Sequence, residues 1–268
     1  MATPLQLNIF TTRRVKVRTT LPKTPIAPCA ERAPIRTARL LLRAPKASDG
    51  EAMFEMRKDA DAMRYTSRGL PDTSIEQSRT YLARWLSPND TSTYYFTVVY
   101  LGEDGQLREE DKTAVIVGSC GAAPLNTGFW FGWPEIGYSI RKDYWGKGLA
   151  TELMRGWLAA YWALPREVVE IEVHPDTMGS LSDNANNGEG GGAVVNVPER
   201  VTGLVGAENP ASIRVLGKVG FQVFKRWEEI DNRPGLEGRL TSVIGVMASK
   251  PLEEIRIVDT VCTLGRSD

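Results

Sequence analysis

The segment of this sequence best equipped for chemistry is Trp145-Gly146-Lys147-Gly148-Leu149-Ala150-Thr151. Two glycines separated by a lysine stand directly before a run with helical apolar spacing. A glycine loop that opens a helix turns free backbone N–H groups, and the positive end of the helix dipole, toward an anion. Glycine permits the φ angles and the close approach that phosphate oxygens require. The dipole alone supplies about 0.3–1 kcal/mol, or about 2 when partly buried, so several N–H donors and Lys147 must share the work. On these residues alone, an ordinary tight turn before a helix explains the two glycines equally well.

Other nucleotide motifs fit less well. A P-loop needs Gly-x-x-x-x-Gly-Lys-Ser/Thr, which is absent. Residues 146–151 half-match the dinucleotide fingerprint, with Glu170 or Glu172 near where a ribose-binding acid belongs. However, the sixth position is threonine, and Arg141–Trp145 separate the preceding strand from the first glycine. A nicotinamide-dependent oxidoreductase is therefore the weakest reading kept. The single histidine, His174, reads as a loop residue, and there is no Gly-x-Ser-x-Gly elbow for a hydrolase. Cys29, Cys120 and Cys262 are far apart and odd in number, which fits a reducing compartment, with Cys120 a small buried residue. No Cys-x-x-Cys pair is present, and no metal is expected.

The elements around the loop set its context. Ala38–Arg43 reads as a buried strand, and Ser48-Asp49-Gly50-Glu51 as a capping box opening a helix with Met53, Phe54 and Met56. Thr73-Ser74-Ile75-Glu76 opens another helix, stopped by Pro88. Strands are expected at 94–101 and 113–122 around an acidic turn, 102–111, and at 134–140. A helix over 149–163 ends at Pro165, and 168–173 is a strand. Residues 179–193 are rich in Gly, Asn and Ser, so about 175–199 reads as a flexible insertion. A strand over 200–205 leads to a helix capped by Asn209-Pro210 and closed by Gly220, followed by a hairpin of 222–230 and 240–249. The order is mixed α/β with hairpins, α+β-like, and lacks the alternation of a doubly wound fold.

At 268 residues, 42% hydrophobic and 25% charged, the chain is an ordinary globular one with zero formal net charge. No global charge steers it toward nucleic acid or an anionic membrane, and no apolar run approaches the roughly 20 residues of a membrane-spanning helix. Residues 1–30 hold no acidic side chain but carry Arg13, Arg14, Lys16, Arg18 and Lys23. That bias suits a mitochondrial presequence, whereas the alternation of Val15, Val17 and Thr19 with basic residues suits an extended arm of a cytoplasmic protein. The arm is the favoured reading. Folded structure is expected from Ile35, giving a basic extension (1–34), one domain (35–250) and a tail (251–268).

In its order of motifs the chain resembles the GNAT superfamily of N-acetyltransferases, in particular the branch that acetylates ribosomal-protein N-termini. Trp145-Gly146-Lys147-Gly148-Leu149-Ala150 matches the pyrophosphate motif Gln/Arg-x-x-Gly-x-Gly/Ala, with Trp in its first place. Asn209-Pro210-Ala211-Ser212, followed by Leu216, Lys218 and Gly220-Phe221, is its companion. Pro134–Tyr138, Leu40–Arg43 and Val117-Gly118 complete a resemblance over about residues 35–250. The resemblance implies the GNAT fold, a central, mostly antiparallel twisted sheet with splayed parallel strands and flanking helices. It also implies acetyl-CoA as acyl donor, its pantetheine along Ser139, Ile140 and Arg141 and its pyrophosphate on Gly146–Thr151. Asn209 is a helix cap, with a contact to the cofactor left open.

The same resemblance implies roles. Glu135 matches a strand glutamate that serves as base in some relatives; an edge carboxylate that only orders water is the alternative. Relatives commonly carry a tyrosine acid where this chain has Leu216. Ser212 then remains to face the departing thiolate, against a plain helix serine bonded to the backbone. Phe129, Trp130, Trp133 and Tyr138 either wall an acceptor pocket or belong to the core. A site with one candidate base and no tyrosine acid suits an α-amine, with reference pKa about 7.7–8.0 and so already partly neutral, or a weakly basic small amine better than lysine, near 10.4. Peptide N-termini and small-molecule amines both remain acceptors, a homodimer is compatible, and a non-catalytic acyl-CoA-binding module is the alternative to an enzyme.

Overall fold

The computed structural model describes residues 14–105, 115–125, 130–181, 194–231, 233, 235 and 237–250. Its main sheet has eight strands. In chain order its strands are β2 (Ile35–Arg36), β3 (Leu40–Arg43), β4 (Tyr94–Tyr100), β5 (Val115–Ala123), β6 (Glu135–Ile140), β9 (Arg200–Gly206), β10 (Gln222–Ile230) and β11 (Leu240–Ser249). The spatial order is β10-β11-β9-β6-β5-β4-β3-β2. Every neighbouring pair is antiparallel except β6 and β9, which run parallel and meet in register only at Glu135 and Thr202.

Local sequence explains most elements. β4 reads Tyr-Tyr-Phe-Thr-Val-Val-Tyr, aromatic and β-branched, and all but its last residue are buried, so both its faces are covered. The helix α4 (Leu149–Trp162) buries Leu149, Leu153, Met154, Trp157, Leu158 and Tyr161, a stripe at three- and four-residue spacing that packs into the main core with Phe96 and Val98. The helices α1 (Gly50–Arg57), α2 (Ala60–Met63) and α3 (Ile75–Ala83) fall between β3 and β4, and α5 (Pro210–Lys218) follows β9. α5 begins as expected: the Asn209 side chain accepts the Ser212 N–H at 3.1 Å, and Pro210 holds the first helical position.

Three expectations need correction. Folded structure begins before Ile35, because β1 (Val15–Pro22) pairs antiparallel with β7 (Arg166–Val173) from Val15↔Val173 to Pro22↔Arg166. β8 (Val195–Asn196) pairs parallel with β1, completing a separate three-stranded sheet. The alternation in the arm has a cause: Val17 and Thr19 are buried, while Lys16 and Arg18 are exposed. The 175–199 segment is built in at both ends, with Thr177 and Met178 buried on one side and Val197 and Glu199 on the other; residues 182–193 lie outside the described residues. His174 is a loop residue as expected, directly after β7, but it is fully buried, its Nδ1 accepting the Asp176 N–H at 3.2 Å. Finally, Ser48 heads no capping box: Asp49 instead accepts from the Lys46 N–H and from Arg43, both at 2.9 Å.

The second sheet has its own core of Val17, Leu21, Phe131, Trp133, Val173, Met178, Val197, Trp227 and Val243. β7 therefore leaves the main sheet after α4, and β9 takes the place beside β6. The expected 251–268 tail, Phe129 and most of the 102–111 turn lie outside the described residues.

Candidate active site

The site grows from the single parallel contact. The Thr202 N–H donates to the Pro134 carbonyl at 2.9 Å, and beyond the Glu135–Thr202 pair no ladder joins β6 to β9. From Ile136 to Ile140 the β9-facing edge of β6 is thus open, a slot between diverging strands. β6 ends at Ile140, a 3-10 turn spans Lys142–Tyr144, and α4 starts at Leu149.

Between turn and helix lies the glycine loop. Gly146 and Gly148 have φ of 76° and 78°, the left-handed region in which other L-residues are strained by about 1–2 kcal/mol. Trp145, Gly146, Lys147 and Gly148 are exposed, whereas Leu149 is buried and anchors the helix start. A Cβ placed on Gly146 would meet no atom within 4 Å, so the concave side of the loop is open. The Gly148 carbonyl accepts the Thr151 and Glu152 N–H groups, both at 3.1 Å, which starts the helix there. The first-turn N–H groups, Ala150 among them, have no intrahelical carbonyl to reach and point toward this opening. An anionic pyrophosphate fits such a cradle.

Two of the expected backbone contacts are partly taken. The Trp145 indole N–H donates to the Ile140 carbonyl at 2.6 Å, and the Arg141 N–H donates to the Val117 carbonyl at 2.7 Å. Ile140 can offer a ligand only its second lone pair, and the Arg141 N–H is committed. One residue escaped sequence reasoning: an Arg39 Nη2 lies 3.7 Å from where a Gly148 Cβ would sit. Arg39 is held by Glu152 at 2.9 Å and Glu103 at 3.2 Å. Its only signal was a basic residue opening the Leu40–Leu42 run. Lys147 Nζ stands 4.9 Å from the Tyr144 ring centroid, beside the loop.

Strand alternation divides the remaining polar groups between two faces of β6. Glu135 shares a face with Ser139, whose hydroxyl meets the Met56 sulfur of α1 at 3.3 Å. The Glu135 Oε2 is shielded from solvent and has no hydrogen-bond partner among the described residues. Burial raises its pKa from 4.5 to about 7. On the other face, the Tyr138 hydroxyl lies 2.9 Å from the Ser212 Oγ of α5. Burial raises the Tyr138 pKa, an effect the Ser212 hydrogen bond partly offsets. Leu216 is buried in the main core.

Of the four aromatics Phe129 lies outside the described residues, and the other three do not act together. Trp133 is fully buried in the second core, with its indole N–H donating to Thr177 Oγ1 at 2.8 Å. Trp130 packs partly buried against the same core, and its carbonyl accepts from Arg14 at 2.7 Å. Of these three, only Tyr138 faces α5. Trp133 is a core residue and Trp130 packs at the edge of that core, because β7, β8 and β1 build a second sheet there.

A family model described as an acetyltransferase (GNAT) domain matches residues 39–222, a span that contains the open slot, the glycine loop and α5. A GNAT-family acetyltransferase from Bacillus anthracis is 20% identical, with a TM-score of 0.52 over 81% of this chain and 99% of that one. A spermidine N-acetyltransferase from Vibrio cholerae, solved with CoA and spermine, is 15% identical, with a TM-score of 0.51 over 80% of this chain and 97% of that one. At these identities the likeness is one of fold. No curated protein matches the chain. The family match covers well over half of the sequence and every element of the slot, and the chain belongs to the GNAT acetyltransferase family.

Proposed function

We propose that the protein is an acetyl-CoA-dependent N-acetyltransferase that joins the acetyl group to an amine by direct attack on the thioester. The observation that carries this reading is the division of polar groups across the slot: Glu135 on the α1 face of β6, and Tyr138 with Ser212 on the α5 face. An amine entering from one face meets a base, and a thiolate leaving toward the other meets a hydroxyl. Acetyl-CoA supplies the activated acetyl thioester, with Gly146–Thr151 as seat for its pyrophosphate and Arg39 and Lys147 as nearby cations.

Glu135, with a pKa near 7, takes the proton of the attacking amine directly or through water. Ser212 is held at its N–H by Asn209 and at its Oγ by Tyr138. With Tyr138 as donor in that bond, the Ser212 proton is left to face the thiolate. Tyr138 thus orients Ser212 rather than walling an acceptor pocket, and the pair stands in for the tyrosine acid that Leu216 replaces. Positioning in the slot accounts for the larger share of the rate, about 7–11 kcal/mol against the 10²–10⁴-fold of a placed acid or base. The ready neutrality of an α-amine favours peptide N-termini or weakly basic small amines as acceptors, in a cytoplasmic setting.

The buried Leu216, where relatives place a tyrosine, supports one second reading, a non-catalytic acyl-CoA-binding module. Thiol release from acetyl-CoA with a panel of amines and N-terminal peptides, with mass-spectrometric identification of the product, separates the two. Turnover is expected. Retained CoA binding with no turnover across the panel supports the module instead. Thermal protection by NAD and none by CoA overturns both.

A further inference from the structure

A pocket of about 720 Å³ opens where three segments converge: the β9–α5 junction, the ends of the β10–β11 hairpin, and the residues that follow α2. That volume is within the range of small-molecule sites. Glu208 in its wall directly precedes Asn209, so the pocket adjoins the first turn of α5, which carries Ser212. Its opposite wall, Arg64, follows α2, on the side of the sheet that Glu135 and Ser139 face toward α1. Asp61 of α2 is in turn bonded to Lys142, in the turn that leads to the glycine loop, at 2.5 Å. The pocket therefore lies at the end of the slot where β9 runs into α5, within one helical turn of Ser212 along the chain.

Its charges are uneven. Three arginines, Arg64, Arg233 and Arg239, share the lining with two carboxylates, Glu208 and Asp231. Both carboxylates are engaged by one guanidinium: Arg233 reaches Asp231 at 2.6 Å and Glu208 at 3.4 Å. The same side chain donates to the Arg64 carbonyl at 2.8 Å, clipping the walls together. Asp231 is held below the usual carboxylate range, first by its hydrogen bond to Arg233, so it stays ionised and stays paired. Arg239 is exposed, and Arg64 is mostly exposed, 3.8 Å from Asp61. A polycationic acceptor finds both carboxylates already engaged by Arg233, and with Arg64 and Arg239 the lining carries three positive charges against two negative ones, a net repulsion.

We infer that this pocket selects amines whose non-reacting end carries an anionic group, carboxylate or phosphate, and rejects polyamines. The inference rests on the N-acetyltransferase reading. Arg239 and Arg64 hold the anionic end, with Thr241 and Ser242 as neutral lining, while the amine is directed toward the slot.

Across its peptides the test keeps the reacting α-amine constant, and spermidine supplies the polyamine arm. C-terminally amidated Ser-Asp, Ser-phosphoserine, Ser-Asn and Ser-Lys are compared with spermidine in the acetyl-CoA thiol-release assay. At least tenfold higher kcat/KM for one of the two anionic peptides over Ser-Lys and spermidine is expected, and the better of the two tells carboxylate from phosphate. Arg239→Glu, an exposed change that leaves the Arg233 clip intact, is expected to erase or invert that ratio with KM for acetyl-CoA unchanged. Equal or higher activity on Ser-Lys or spermidine in the wild type overturns the inference while leaving the transferase reading standing. A rise in the acetyl-CoA KM with Arg239→Glu overturns it too, by assigning the pocket to the cofactor. No thiol release with any amine instead sinks the reading on which it rests.

Discussion

The two ends of the β6–β9 slot are built on different principles. At the glycine loop the working groups are backbone N–H donors, exposed and fixed by two left-handed glycines, and no buried charge is involved. At the Glu135–Tyr138–Ser212 end the working groups are side chains, half-buried, with pKa values displaced by the protein around them. A backbone cradle depends on local conformation and tolerates few residue types. A side-chain constellation depends on which distant strands and helices arrive beside it. The first end should thus fail abruptly when a glycine is lost, and the second should decline in steps as single groups are removed.

The largest expected effect breaks the first end. Gly148→Glu forces a side chain into φ of 78° and places a carboxylate at the proposed pyrophosphate seat. The strain of about 1–2 kcal/mol adds to the charge repulsion. CoA affinity measured by calorimetry is expected to fall more than a hundredfold, which corresponds to about 2.8 kcal/mol. Undiminished affinity would place the cofactor elsewhere.

Glu135→Gln probes the second end, and its two readouts move in opposite directions. Loss of the base is expected to lower kcat about a hundredfold, within the 10²–10⁴-fold range of such groups. It should also remove the acidic limb near pH 7 from the pH profile, leaving only the limb of the acceptor amine. Stability moves the other way. The folded pKa of about 7 is above the ordinary 4.5, so the protonated carboxyl favours the folded state, and that contribution is lost as pH rises through 7. Above pH 7 the amide variant is therefore expected to melt higher than the wild type, by about 2–4 °C for each kcal/mol relieved. A lower melting temperature at pH 8 would mean that Glu135 is paired in solution.

How much of this was legible in the sequence follows the same division. The glycine loop, the Asn209 cap and the helices behind both are specified by residues within one or two turns of each other, and the structure places them where the pattern did. The pairing of Tyr138 with Ser212 joins residues on a strand and a helix far apart in the chain, and no local spacing announces it. The same holds for Arg39 beside Gly148. The tryptophans illustrate the converse. Trp130 and Trp133 stand close to Tyr138 in sequence, yet β1 and β7, separated by most of the domain, cover them with a second sheet. Alternation in Val15–Thr19 announced a strand, but which partner it would take, and hence which core it would build, lay more than a hundred residues away.

A double-mutant cycle sharpens the second end further. Ser212→Ala is expected to lower kcat about tenfold with the acetyl-CoA KM nearly unchanged, since in the proposed mechanism the hydroxyl acts on the leaving thiolate rather than on binding. Tyr138→Phe keeps the ring and removes only the hydroxyl that orients Ser212, for about a threefold loss. Because Tyr138 acts through Ser212, the double variant should be no slower than Ser212→Ala alone. Additive losses would mean that the two hydroxyls work on separate groups.

The smallest expected effect returns to the loop and asks whether its one side-chain tether matters. In Trp145→Phe a smaller aromatic ring replaces the indole and the bond from its N–H to the Ile140 carbonyl is lost. A net hydrogen bond is worth about 0.5–1.5 kcal/mol, and the exposure of Trp145 puts this one at the low end. If the tether holds the loop against β6, CoA affinity should fall about two- to threefold with little change in melting temperature. If instead the indole competes with the pantetheine for that carbonyl, releasing it should tighten binding by a similar factor. The sign of a small change in affinity therefore tells whether Trp145 belongs with the backbone cradle it adjoins or is a cap on the open strand edge, displaced when the slot is filled.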